Sequence, residues 1–139
     1  MRQILALFLT LIVFCAPAFA SEQMAADMAY SEISAGRMVL VDVRTPSEWK
    51  ATGVAPGAVT LTMGEPGFVE KLKAVVDANP GKRVALICAA GGRSSSVQRQ
   101  MAKLGIADDA VDIVEGMKGN WTSPGWIGRG LPVVPYTTN

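Results

Sequence analysis

The sequence contains no histidine. This absence excludes histidine acid–base catalysis, a Cys–His nucleophile pair and most zinc sites. Cysteine is almost as scarce, with only Cys15 near the start of the chain and Cys88 in its middle. Neither sign of charge is in excess, because 13 Lys+Arg stand against 12 Asp+Glu. Binding to nucleic acid or to an acidic membrane surface needs a basic excess, so neither is expected.

The first twenty residues have the layout of a cleavable export signal. Ile4 to Cys15 is an almost unbroken apolar run, and the small residues Ala-Pro-Ala-Phe-Ala follow it up to Ala20. The run is short for a membrane span of about 20 residues, whereas the small residues suit a cleavage site. We therefore expect a signal peptide at 1–20 and a periplasmic or secreted protein. The alternative is a retained membrane anchor.

The remaining segment, residues 21–139, is long enough for one compact domain and short for two. Its charges balance once Arg2 of the leader is removed. Cys88 is its only cysteine, so no internal disulfide can form, although the expected compartment would favour one. We expect a single domain stabilised by its apolar core, with neither a cofactor nor a metal.

Apolar runs alternate with helical patterns along this segment. Continuous apolar runs predict buried strands at 38–43 and 83–88, and further strands are predicted at 58–61 and 111–114. Helical spacing and helix-start signals predict helices at 28–35, 45–49, 66–78 and 95–104. Residues 21–26 are expected to be a loose lead, and 116–121 at most a short helix. The alternation predicts an α/β fold of three layers, with a central, mostly parallel sheet flanked by helices.

The loop that begins at Cys88 is the candidate functional site. Ligands of parallel α/β sheets bind at the carboxyl ends of strands, and Cys88 is predicted to end one. Gly91 and Gly92 allow the amides to converge on an anion, while Arg93 and the next helix add positive charge. This field lowers the pKa of a thiol and needs no histidine. The alternative is a structural cysteine beside an ordinary turn, with Ser94 as a helix cap.

The spacing of this loop separates two chemistries. Cysteine phosphatases share a C-x5-R loop, whereas CAAGGR from Cys88 to Arg93 is C-x4-R and residue 94 is serine. The tighter loop suits a sulfane sulfur better than a phosphate. It resembles the active loop of the rhodanese (sulfurtransferase) domain family. Three further segments resemble the family's signatures in order, namely LVDVRTPSEW (40–49), GVAPGAVTL (53–61) and GMKGNW…GLPV (116–133).

The resemblance implies a two-step sulfur transfer. The Cys88 thiolate would take sulfur from a donor such as thiosulfate, and the persulfide would pass it to a thiophilic acceptor, which is cyanide, a thiol or an acceptor protein. Arg93 would orient the anionic donor, and Ser94 would donate a hydrogen bond. The substrate-binding positions implied by the resemblance are Ala89, Ala90, Gly91, Gly92, Arg93 and Ser94. Val54 departs from the family, which commonly has histidine there.

Asp42 and Arg44 are expected to form an ion pair that supports the loop without taking part in catalysis. Trp49, Trp121 and Met101 are expected in the core.

Three roles remain open for Trp126 and Arg129, namely lining the pocket mouth, forming an apolar lid and simple packing of the tail. Two other functions also remain open. One is a low-turnover persulfide carrier or partner-docking module, and the other is a phosphatase-like, oxyanion-binding protein. Membrane contact is expected only through an uncleaved signal.

Overall fold

The computed structural model describes residues 22–138, so the predicted signal peptide at 1–20 lies outside the described residues. One sheet contains the strands β1 (Glu22–Met24), β2 (Met38–Asp42), β3 (Val59–Thr60), β4 (Arg83–Ile87) and β5 (Val111–Ile113). Their spatial order is β1-β5-β4-β2-β3, and all the pairings are parallel. The prediction of a mostly parallel sheet is therefore confirmed, and β4 lies at its centre.

Helices connect these strands. They are α1 (Ala26–Ser34), α2 (Pro46–Thr52), α3 (Phe68–Asp77), α4 (Gly92–Leu104) and α5 (Gly125–Gly128). None of the helices between residues 22 and 138 has the length and apolar character that a membrane crossing requires.

Both faces of the sheet are covered, which explains why its central strands are continuous apolar runs. On one face, Leu40 and Ile113 contact a cluster that includes Ala29 of α1 and Trp126 of α5. On the other face, the cluster contains Val41, Leu86, Phe68, Leu72, Val97 and Met101, the last four from α3 and α4. Each fully buried aliphatic side chain contributes about 1.5–3 kcal/mol relative to an exposed one. These two layers keep the strand ends, and the loops after them, in fixed positions.

Helix α2 begins as the sequence predicts. Thr45 is the N-cap, Pro46 is the first helical residue, and Glu48 completes a reciprocal capping box. The Thr45 amide donates to Glu48 Oε2 at 3.0 Å, and the Glu48 amide donates to Thr45 Oγ1 at 3.4 Å. This cap fixes the direction of the Glu48 carboxylate.

The prediction of a loose lead at 21–26 is wrong. Residues 22–24 form a strand because they pair in register with β5, Gln23 lying opposite Asp112. The pairing with β5 makes these residues a strand, although their own sequence has no strand pattern. Residues 116–121 form turns, and the short helix lies later, at α5. Gly116 and Gly119 have positive φ values of 65° and 81°, which interrupt a helix.

Candidate active site

Cys88 is the first residue after β4, the central strand of the sheet. The following helix begins at Gly92, three residues before the start predicted at 95. The loop between strand and helix is therefore only four residues long, from Cys88 to Gly91. This short connection places the thiol directly at the N-terminal end of α4, where backbone amides have no partner within the helix.

Gly91 shapes the loop. Its φ is +102°, and a Cβ there would overlap the carbonyl oxygen of Val114. The Gly91 amide donates to the Cys88 Sγ at 3.1 Å. The close approach of Val114 and the amide direction thus both require glycine at 91. Gly92 does not share this requirement, because it has ordinary helical geometry and open space where a Cβ would lie.

Ser94 is the second polar group on the sulfur. Its hydroxyl lies 3.5 Å from Cys88 Sγ and 3.0 Å from the Gly91 carbonyl oxygen, so its one proton can serve either acceptor. Burial raises the pKa of the Cys88 thiol, which is only 1% exposed. The Ser94 hydroxyl and the amides of Ser94, Ala90 and Gly91 lower that pKa by more, so the net shift of the pKa is downward.

The segment after β5 supports the loop from behind. The Met117 amide donates to the Cys88 carbonyl, and the Lys118 amide donates to the Ala89 carbonyl, both at 2.8 Å. The backbones approach so closely that a Cβ on Gly116 would lie 2.5 Å from the Ala90 nitrogen. Because these carbonyls are bound on the far side, the loop amides remain directed toward the sulfur.

Arg93 is paired with Glu48 of α2. Its two terminal nitrogens donate to the two carboxylate oxygens at 2.8 and 2.6 Å. The guanidinium lowers the pKa of Glu48 to about 2, with the Thr45 contacts assisting against burial. The sequence gives no sign of this pairing, since Glu48 and Arg93 are 45 residues apart. The charge of Arg93 is thus balanced, although the Cys88 sulfur still contributes to raising the pKa of Arg93.

The structure brings Asp42 and Arg44 together as the sequence predicts. Both side chains are fully buried, and Arg44 Nη2 lies 2.7 Å from Asp42 Oδ2. The other bonds of Arg44 go to Thr52 Oγ1 at 2.7 Å and to the Gly53 carbonyl at 2.9 Å. The pair therefore fixes the end of α2, the helix that carries Glu48. Its contact with the Cys88 loop is indirect.

Among the residues expected in the core, Trp49 and Met101 are buried, but Trp121 is completely exposed. The prediction for Trp121 is wrong because the turns after Gly116 direct its ring outward while Trp126 occupies the core. Trp121 lines an open cavity of about 560 Å³ beside the active loop, with Ala90, Lys118, Gly119 and Asn120.

For Trp126 and Arg129, the structure supports packing of the tail. The Trp126 ring lies edge-on to Tyr30 with centroids 5.7 Å apart, and its Nε1 donates to the Pro132 carbonyl at 2.8 Å. Arg129 pairs with the buried carboxylate of Glu115 at 3.0 Å. Both residues therefore stabilise the C-terminal segment against α1 and the turn after β5.

Asp112 is a buried acid that the sequence analysis did not single out. It lies in β5 with no exposed surface, and neither of its carboxylate oxygens has a hydrogen-bond partner among the described residues. Burial raises its pKa, while the nearby Ser94 hydroxyl and the charge of Arg99 oppose the shift. The signal in the sequence that could have identified Asp112 was an acid inside an otherwise apolar strand.

Residues 22–138 contain no cluster of three or more Cys, Asp or Glu side chains placed to bind a metal.

Comparisons with known proteins agree with this architecture. The family model for the rhodanese-like domain matches residues 25–123. A rhodanese-related protein of Thermoplasma volcanium is 28% identical, with a TM-score of 0.62, over 83% of this chain and 99% of that one. A Rhodopseudomonas palustris protein of unknown function, described as a possible tyrosine phosphatase, is 25% identical, with a TM-score of 0.60, over 82% and 85%.

The polysulfide-sulfur transferase homodimer of Wolinella succinogenes has a TM-score of 0.61 over 82% of this chain and 78% of that one. At 23% identity this likeness shows the shared fold. The comparison with curated proteins found no match.

Proposed function

Because the chain belongs to the rhodanese-like domain family, we propose that it is a sulfurtransferase in which Cys88 carries the sulfur as a persulfide. The observation that carries the proposal is the environment of the Cys88 Sγ. The Gly91 amide donates to it at 3.1 Å, the Ser94 hydroxyl lies 3.5 Å away, and the pKa of the thiol is lowered. An anionic sulfur nucleophile is stabilised there without any histidine.

The first half-reaction loads the cysteine. The Cys88 thiolate attacks the outer sulfur of thiosulfate, a new S–S bond forms, and the bond to the sulfite sulfur breaks. Sulfite leaves with the electron pair of that bond. The product is a Cys88 persulfide, whose negative charge lies on the outer sulfur and is accessible to the amides at the start of α4.

The second half-reaction unloads it. A thiophilic acceptor such as cyanide attacks the outer sulfur, and the bond to Cys88 Sγ breaks. Thiocyanate leaves and the thiolate is regenerated, stabilised again by Gly91 and Ser94. Neither step needs a metal or an organic cofactor, since the sulfur itself accepts and releases the electron pair.

Arg93 is the proposed donor-binding cation. Two of its nitrogens are bound to Glu48, and about a third of its side chain is exposed. A guanidinium held at a fixed position by a carboxylate still attracts an approaching dianion. Its remaining N–H groups can donate hydrogen bonds that orient the sulfur donor. Lys118, exposed at the cavity beside the loop, adds a second cation to the entrance.

The proposed location is the periplasm or the outside of the cell, on the evidence of the apolar run and small residues before Ser21. In this setting the proposed partners are small sulfur donors such as thiosulfate, together with cyanide, thiols or an acceptor protein. N-terminal sequencing of the protein recovered from its host tests the first point. Cleavage after Ala20 is expected, and an intact N-terminus in a membrane fraction would contradict it.

Sulfur loading tests the proposed chemistry directly. The purified protein is incubated with thiosulfate, and its intact mass is then measured without reductant. We expect the mass of one added sulfur on the wild type and on Cys15→Ser, which is the matched control, but none on Cys88→Ser. An adduct that persists in Cys88→Ser, or no adduct on the wild type, would refute the assignment.

A second candidate is a persulfide carrier that docks on a partner protein. The exposed Trp121 beside the active loop favours it, since an exposed aromatic ring next to a reactive group is typical of contact surfaces. Slow turnover with thiosulfate and cyanide, combined with efficient loading, would support this candidate. Fast turnover without any partner would rule it out.

A third candidate is hydrolysis of a phosphate ester, since the Rhodopseudomonas palustris neighbour is described as a possible tyrosine phosphatase. The spacing of this loop argues against it, because cysteine phosphatases share C-x5-R, whereas this chain has C-x4-R with serine at position 94. Incubation with an aryl phosphate decides the matter. Hydrolysis that is lost in Cys88→Ser would support the phosphatase.

A further inference from the structure

Trp121 lies at the tip of a tight turn next to the active loop. The Asn120 amide donates to the Ser123 carbonyl at 2.9 Å, and the Ser123 amide donates back to the Asn120 carbonyl at 3.4 Å. The Asn120 side chain accepts hydrogen bonds from the amide and the hydroxyl of Thr122 at 3.0 and 2.9 Å. The backbone of Trp121 is therefore held in place, although its ring is completely exposed and stacks on no other ring among residues 22–138.

Hydrogen bonds attach this turn to the active loop. The Lys118 amide donates to the Ala89 carbonyl at 2.8 Å. The Asn120 side-chain amide donates to the Ala90 carbonyl at 3.4 Å. Because the turn is bound to the loop on both sides of Gly119, it keeps a fixed position relative to the reactive cysteine.

The cavity between the turn and the loop borders the structure that holds the sulfur. The hydrogen bond from the Gly91 amide to the Cys88 Sγ at 3.1 Å closes a small ring of residues that contains Ala90. Ala90 also lines the cavity, whose volume is about 560 Å³. Cavities of about 300–1,000 Å³ bind organic molecules, and the diatomic cyanide ion would fill only a small part of this one.

The charge and the ring at the cavity indicate the chemistry of its ligand. Lys118 is the one charged residue that lines it, and its ammonium forms no ion pair with any carboxylate of residues 22–138. Arg93, the cation on the loop itself, is already balanced by Glu48. An unpaired ammonium attracts a carboxylate, and the exposed face of Trp121 offers a surface for an apolar carbon chain.

We propose that this cavity binds the sulfur acceptor, and that the acceptor is an organic thiol that carries a carboxylate. The carboxylate pairs with Lys118, and the carbon chain packs on the ring of Trp121. Lys118 and Trp121 are then residues that determine acceptor specificity. This role rests on the proposed function, because it concerns the step in which the Cys88 persulfide is unloaded.

The unloading step balances without a further reactant. The thiolate of the acceptor attacks the outer sulfur of the Cys88 persulfide, and a new S–S bond forms. The bond between the outer sulfur and Cys88 Sγ breaks, and its electron pair returns to Sγ. The products are the persulfide of the acceptor and the Cys88 thiolate, so the total charge is unchanged.

Unloading of protein that already carries the sulfur tests the proposal separately from loading. Loss of the added mass is followed after mixing with 3-mercaptopropionate or with the neutral 2-mercaptoethanol, and each rate is divided by the ionised fraction of the thiol. We expect Lys118→Gln to slow 3-mercaptopropionate by about two- to fivefold and to leave 2-mercaptoethanol unchanged. Trp121→Ala should slow both thiols by about two- to tenfold. Lys103→Gln, exposed at the far end of α4, is the control.

Two results would overturn the proposal. One is a Lys118→Gln variant that discriminates between the two thiols as the parent does. The other is unloading that neither Lys118→Gln nor Trp121→Ala alters, which would leave this surface to a protein partner.

A second measurement requires no sulfur transfer. Cys88 is alkylated at one pH by the anionic iodoacetate and by the neutral iodoacetamide, in proteins that carry Cys15→Ser. The ratio of the two rates does not depend on how much of the thiol is ionised. We expect Lys118→Gln to lower this ratio by about two- to fivefold and Lys103→Gln to leave it unchanged. An equal ratio in Lys118→Gln and its parent would overturn the anion site, whereas a failure to load sulfur would overturn the proposed function alone.

Discussion

The Glu48 carboxylate binds the Arg93 guanidinium through two parallel hydrogen bonds, at 2.6 and 2.8 Å. The pair joins the first turn of α2 to the first turn of α4, and so fixes one side of the active loop against the neighbouring strand–helix unit. Bidentate pairs of this kind have a defined geometry as well as charge. Two predictions concern its two ends.

Glu48→Gln should reduce stability in a pH-dependent way. The folded-state pKa of Glu48 is about 2, below its ordinary value of 4.5, chiefly because of Arg93. Folding therefore favours the ionised form, and the contribution is present above the ordinary value and lost as the pH falls toward 2. Glutamine keeps the capping box. We expect a loss of about 1 kcal/mol at neutral pH, measured by urea unfolding, that disappears in acid. The exposed Glu70→Gln is the control, and a pH-independent difference would contradict the prediction.

Arg93→Lys should impair use of the anionic donor. Lysine keeps the charge but cannot make the two-pronged contact with Glu48, so its position is no longer fixed. We expect kcat/KM for thiosulfate to fall about tenfold, mostly through a higher KM, in a coupled thiosulfate–cyanide assay. Arg99→Lys, on the exposed side of the same helix, should leave the rate unchanged. An unaltered KM in Arg93→Lys would remove Arg93 from donor binding.

Ser94→Ala should make Cys88 less reactive. The Ser94 hydroxyl is the largest of the contacts that lower the pKa of the thiol, and burial, which raises it, would remain. The pKa of Cys88 should rise, and iodoacetamide alkylation near neutral pH should slow by roughly three- to tenfold. Ser96→Ala, on the same helix, is the control. Equal rates in wild type and Ser94→Ala would show that the loop amides alone activate the sulfur.

The two adjacent loop glycines should respond differently to alanine. At Gly91, φ is +102° and the added Cβ would overlap the Val114 carbonyl, so we expect a loss of about 2 kcal/mol or more. At Gly92 the backbone is helical and the space is open, so alanine should be neutral or stabilise by about 0.4–1 kcal/mol. Thermal and urea unfolding compare the pair directly. Similar destabilisation by both would argue against the described loop conformation.

Tryptophan fluorescence should report the position of Trp121. Trp49 and Trp126 are buried, at 3% and 1% exposure, whereas Trp121 is fully exposed. We expect a red-shifted emission component that acrylamide quenches readily, and Trp121→Phe should abolish it. Trp126→Phe should leave that component in place. If quenching is the same with and without Trp121, the ring is not in the described position.

The sequence by itself determined the class of fold and the centre of the site. The runs at 38–43 and 83–88 are apolar on both faces apart from Asp42 and Arg83, which is the pattern of a strand buried between two layers. Cys88, Gly91 and Ser94 are close in sequence, so their proximity follows from the loop and the helix start alone.

Only the tertiary structure decided the long-range partners. Glu48 and Arg93 are 45 residues apart, and their pairing depends on how α2 and α4 lie across the sheet. The β1 strand exists because β5 is beside it, and Trp121 is exposed because Trp126 fills the core position. Asp112 is buried beside Leu86 because β5 is the parallel neighbour of β4. Such contacts arise from packing between distant segments, on which local periodicity carries no information.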